Sequence, residues 1–132
     1  MTIREEMERM AQDVKEVVEA LDRLLSGDAN DYDEQVVKEW LGEDSDDLFY
    51  AFLDQLLDIE VHEMYSFATR DRYPEKIHLV HGTGGPGVRT VVDLNGRGEV
   101  RVSWGAERVR AWVDVPTLAD HILELYEEVK NG

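Results

Sequence analysis

The chain of 132 residues contains no cysteine, four lysines, three prolines and no apolar run approaching the length of a membrane span. Each shortage excludes something. Without cysteine there is no disulfide, no thiolate metal centre and no cysteine nucleophile, which suits a reducing compartment and sets a cytoplasmic location as the expectation. A membrane span needs roughly 20 apolar residues, and the opening MTIREEMERM puts acids where a secretory leader carries a basic head and an apolar stretch. Neither membrane insertion nor export by that route is therefore expected. The length fits one domain, residues 1–132, which buries roughly two thirds of the surface of its unfolded chain.

What the sequence has in excess is acid. Thirty Asp and Glu stand against fourteen Lys and Arg, for a formal charge of -16. Nineteen of those acids lie within residues 1–60 beside five bases, whereas residues 61–132 carry eleven acids and nine bases. Charge crowded into one half opposes compaction and projects a negative field from one part of the surface.

Periodicity gives an α+β order, with N-terminal helices packed on an antiparallel β-meander and a C-terminal helix. Thr2 and Glu5 have capping-box spacing, and Ile3, Met7, Met10, Val14, Val17, Val18, Leu21, Leu24 and Leu25 recur at helical steps up to Gly27. Val36, Val37, Trp40 and Leu41 predict a short second helix that stops near Gly42. Ser45 is read as the cap of a third, with Asp46 and Asp47 in its first turn and Leu48, Phe49, Phe52, Leu53, Leu56 and Leu57 on its buried face. The segment IEVHEMYSFAT fits strand or helix, and strand is preferred. A break is expected at Tyr73-Pro74. IHLVH, VRTVVDL, EVRVSW and ERVRAWVDV then read as strands joined by GTGGPG, NGRG and GA. Pro116 opens a last helix whose face carries Leu118, Ile122, Leu125 and Val129. These parts divide as residues 1–58 (acidic, helical), 59–115 (sheet) and 116–130 (closing helix).

Nine acids in twenty residues form the first candidate site: Asp28, Asp31, Asp33, Glu34, Glu39, Glu43, Asp44, Asp46 and Asp47. DNA carries a phosphate charge about every 1.7 Å along its axis, so rows of carboxylates can occupy a site built for nucleic acid. The plainer alternatives are a solvated face or salt adaptation. Scarcity of Lys beside ten Arg fits the latter, but adaptation would spread acid over both halves.

The other motifs are weaker. DANDYDEQ lacks the glycine and late glutamate of a calcium loop. GTGGPG satisfies G-x-G-x-x-G in form, yet a strand rather than a helix follows it, so a tight turn needing positive φ at Gly84 or Gly85 is expected instead of a phosphate cradle. His78 and His81 fall on opposite faces of a strand, with no third ligand at a metal-binding interval. No metal and no cofactor is expected. Ser66 and Ser103 lack the context of a nucleophile. On the last strands Arg101, Ser103, Arg108, Arg110 and Trp112 share one face, joined by Arg89. That face could hold RNA, but the surrounding acid repels phosphate, so solvation or pairing with acids of this chain or of a second copy is preferred.

The run HGTGGPGVRTVVDLNGRGEVRVSWG resembles a loose group of small acidic proteins of phages, plasmids and other mobile elements, with a TGGP turn, a hairpin, a strand ending in Trp-Gly and a C-terminal helix. The resemblance covers about residues 77–130 and carries no site residues with it. It implies a setting of host-virus conflict, in which inhibitors of restriction and CRISPR nucleases are common.

The expected function is accordingly a non-enzymatic inhibitor of anti-CRISPR or anti-restriction type. It would bind the positively charged nucleic-acid site of a partner, a nuclease or CRISPR effector, without touching nucleic acid or membrane itself; pairing of two copies is compatible with this. The rivals are an acidic housekeeping domain of a halophile or actinobacterium, and an enzyme with a carboxylate site.

Overall fold

A computed structural model describes residues 1–42 and 45–132, and its architecture is α+β. Helix α1 (Ile3–Ser26) opens with the expected reciprocal cap. The Thr2 hydroxyl accepts the Glu5 amide at 3.1 Å, and the Glu5 carboxylate accepts from the Thr2 amide at 3.4 Å. It ends at Gly27, whose φ of 84° is the left-handed stop. Helix α2 (Asp31–Leu41) has a second capping box, between Asn30 and Asp33. Helix α3 (Leu48–Gln55) is capped by Asp47, whose carboxylate accepts the Tyr50 amide at 3.1 Å. Ser45 is therefore not the cap; its hydroxyl instead accepts the Asp47 amide and braces the residue that is. The helix stops at Gln55, with Leu56 already extended, so Leu57 falls beyond it and is 61 % exposed.

Five antiparallel strands follow in sequence order: β1 (Asp58–Tyr65), β2 (Arg72–Gly82), β3 (Gly87–Asp93), β4 (Arg97–Trp104) and β5 (Glu107–Asp114). The ambiguous IEVHEMY segment is a strand because its alternation lets Ile59 and Val61 register with Leu79 and Ile77. Tyr73-Pro74 does not break the sheet. Pro74 pairs with Glu63 at a bulge, and β2 meets β3 only from Lys76 onward, so no third strand asks for the amide proline lacks. Helix α4 (Pro116–Asn131) opens with Pro at its start and has no side-chain cap of its own. Asp22 of α1 supplies one from across the core, accepting the Leu118 amide at 2.8 Å.

All the helices engage one face of the sheet. Ile77, Leu79, Val88, Val92, Val100, Val102, Ala111 and Val113 meet Met7, Val14, Val17, Val18, Leu21, Phe52, Leu118 and Ile122 in one core. At about 25 cal/mol per Å² of apolar surface withdrawn from water, such a layer is what offsets the electrostatic repulsion. The ends of the amphipathic helices overrun it: Ile3 is 53 % and Val129 83 % exposed, so neither joins the core as its spacing suggested. No helix among the described residues is long and apolar enough to cross a membrane.

Candidate functional site

Helix capping decides which acids of the candidate cluster face solvent. Asn30 begins α2, and Asp33, three residues on, must turn back to the Asn30 amide to complete the box. That draws Asp33 under the surface, where the Arg23 guanidinium clamps it with two bonds of 3.0 and 2.7 Å and holds its carboxyl below the usual range. Asp33 is 2 % exposed and is structural, a correction to its place among the partner-facing acids. Asp28, Asp31, Glu34, Glu39, Asp46 and Asp47 are exposed. Glu34 pairs with Lys38 at 2.8 Å along α2, and Glu39 accepts from Gln35. Asp47 caps α3. Among the described residues Asp28, Asp31, Glu39 and Asp46 have no ion-pair partner. Glu43 and Asp44 lie outside the described residues.

The helix pair enlarges this surface with residues that spacing alone did not single out. Asp13 and Glu16 of α1 line a groove together with Tyr32, Glu39 and Trp40 of α2. Tyr32 donates to Glu16 at 2.6 Å across the groove, and that carboxylate raises the phenol's pKa. Tyr32 and Trp40 are 62 % and 39 % exposed. Of the apolar residues that predict α2, packing buries Val37 and Leu41, while the Trp40 indole remains at the groove. The signal was present in α1, where Asp13 and Glu16 are three apart and flank the apolar stripe, but only the docking of α2 shows that they share a groove with Glu39.

The opposite surface, the outer face of the sheet, carries a row of arginines. Register sets Arg89, Arg101 and Arg110 side by side on β3, β4 and β5. Buried Glu99 accepts from Arg101 at 2.7 Å and lies 3.7 Å from Arg110, whose guanidinium also covers the Trp112 ring. Solvation, or pairing with acids of this chain or of a second copy, is the expectation for this face, and the Glu99 contacts are pairing within the chain. Toward its edge, Glu60, His62 and His78 bring their donor atoms within 4.8 Å of one another. Glu60 and His78 are directly opposed across β1 and β2, and His62 is two residues along, on the same face. The two imidazoles stack in parallel with centroids 3.8 Å apart. Arg89 bridges the group, 3.0 Å from Glu60 Oε1 and 3.2 Å from His78 Nδ1. Burial, then the nearby His62 and Arg89, push the His78 pKa down to about 4.

The three donor groups come from two separate strands, so the interval that joins them is one of register, invisible along the sequence. His78 and His81 do face opposite ways: His81 turns inward, 2.7 Å from the Thr90 hydroxyl and edge-on to Phe52, and burial lowers its pKa to about 4. The Gly-rich turn joins β2 to β3 after a bulge, and Gly84 takes φ +90°.

Chemically, the helical surface offers fixed carboxylates with two aromatic rings, suited to cations that stack, such as arginine. Comparison with known proteins adds nothing to this geometry, since no family model, curated protein or solved structure matches the chain.

Proposed function

We propose that the chain is a non-enzymatic inhibitor that presents its acidic helical layer to the positively charged nucleic-acid site of a partner protein, a nuclease or CRISPR effector, in place of DNA or RNA. The observation that carries this reading is the separation of charge by layer. Exposed acids gather on the helical layer, on α1, α2, the start of α3 and also α4 (Asp120, Glu124, Glu127 and Glu128), while the arginines of the sheet lie on the far side and are partly neutralised by Glu60 and Glu99. A field with one origin steers a basic partner toward one orientation, which scattered charge does not do. Tyr32 and Trp40 give the surface the amphipathic rings that dominate interfaces.

The test is a DNA-competition assay against a panel of CRISPR effectors and restriction nucleases. An inhibited member should bind the protein and DNA exclusively of one another, and the affinity should fall as salt rises. Asp28→Lys, Asp31→Lys, Glu39→Lys and Asp46→Lys together should leave the fold intact and slow association by about tenfold or more at 0.1 M salt. Undiminished inhibition by that variant, or a ternary complex with DNA, would sink the reading.

A further inference from the structure

We propose that Glu60, His62 and His78 form a binding site for a divalent transition-metal ion of the Zn²⁺, Ni²⁺ or Cu²⁺ type, on the sheet face opposite the acidic helices, for which the Arg89 guanidinium competes. Four observations meet here. The three donors converge within 4.8 Å although 16 residues separate His62 from His78. They are held by a paired ladder rather than by a loop, with Glu60 opposite His78 in register. The imidazoles, stacked in parallel to within 3° with centroids 3.8 Å apart, keep two ring-nitrogen donors beside one carboxylate, and one ring has to turn out of the stack for both to reach the same ion. Finally, a cation already bridges two of the three groups: Arg89 Nη1 contacts Glu60 Oε1 and His78 Nδ1, drawing on the lone pairs an ion would use.

The ligand set selects the metal. Ca²⁺ and Mg²⁺ take oxygen, whereas two imidazoles with a carboxylate suit Zn²⁺, Ni²⁺ and Cu²⁺. Bond lengths of about 2.0–2.2 Å require the donors to close in and His62 to leave its stack on His78, because an ion lies in the plane of each ring that binds it. His62 is exposed and lies on the edge strand, so its side chain can rotate inward without disturbing the core. Binding then breaks the Arg89 contacts and the 2.9 Å hydrogen bond between His62 Nε2 and Glu60 Oε1, and forms metal bonds to a carboxylate oxygen and two neutral ring nitrogens, with the remaining positions open to water. Arg89 needs no new partner, since its side chain is 41 % exposed and reaches solvent.

That competition yields a test with opposite signs. Zn²⁺ titrated into the protein at pH 7.5 should shift the imidazole resonances of His62 and His78 at a ratio of one ion per chain, leaving His81 and His121 unmoved. His62→Ala, His78→Gln or Glu60→Gln should weaken Zn²⁺ binding by about tenfold or more, whereas Arg89→Gln should tighten it by a similar factor. Excess Mg²⁺ should not displace the ion, and Asp31→Asn or Asp46→Asn should leave its affinity unchanged. Circular dichroism establishes that each variant is folded. Shifts spread over all four histidines, ligand variants that bind as tightly as the native chain, or a folded Arg89→Gln that binds no more tightly would each overturn the proposal. None of these results depends on the acidic surface having a partner.

Discussion

His81 links one side chain to the acid stability of the whole chain. Its ring lies inside the sheet against Phe52 and Thr90, and burial lowers its pKa from 6.5 to about 4. The unfolded chain therefore binds this proton first. The stabilisation is fully present above pH 6.5 and is lost as pH falls through the interval down to about 4, where it is worth about 2–3 kcal/mol. His78 acts in the same window, while protonation of surface acids relieves repulsion and works the other way. The difference between the native chain and His81→Gln isolates the one group. Urea unfolding at pH 7.5 and 4.5 should show the native chain losing more stability than the variant, and equal losses would mean that the ring is not closed to protons. The same comparison marks the limit of sequence reading for single residues. Alternation along β2 was enough to turn His78 and His81 apart. By contrast, the Asn30–Asp33 capping spacing separates Asp33 from exposed Asp31 only in part, because burial of Asp33 is completed by Arg23, ten residues away on another helix.

At the scale of elements, caps and turns were legible where the chemistry is local. The Thr2–Glu5 box, the stops at Gly27 and Gly42, and Pro116 at the start of α4 all depend on residues within one turn of each other. Tyr73-Pro74 was misread because the cost of proline in a strand depends on whether a neighbour needs its amide, and that neighbour, β3, begins only opposite Lys76. The placement of the third helix cap failed for a similar reason, with Ser45 and Asp47 both competent and the choice made by the start of packing at Phe49. The Gly-rich turn allows a direct check on the backbone reading. At Gly84 a side chain would meet no neighbour, but φ +90° is strained for any residue with a Cβ. Gly84→Ala should therefore cost about 1 kcal/mol through strain alone. A denaturant midpoint unchanged by the substitution would show that the turn relaxes freely.

Charge and core oppose each other over the whole molecule. With a formal charge of -16, the fold is held by a buried layer between one sheet face and the helices, against repulsion concentrated in residues 1–60. The lopsided distribution was plain in the sequence; that it becomes two chemically distinct faces was not, since this requires every helix to dock on the same side of the sheet. Salt distinguishes the two origins of such acidity. Where a chain depends on molar salt, its core is too small to fold against its own charge. Here Met7, Leu21, Phe52, Ile77, Leu79 and Leu118 are each 0–1 % exposed, and at roughly 1.5–3 kcal/mol per large apolar side chain they belong to a core that suffices without such help. The chain should therefore unfold in a single cooperative transition at 0.1 M salt, where screening reaches about 10 Å, and gain only modest stability as salt rises to 0.5 M. Thermal melts followed by circular dichroism decide it. If structure formed only near molar salt, the acid would be an adaptation to brine, and the steering field proposed for the helical layer would be screened away under the conditions in which the protein folds.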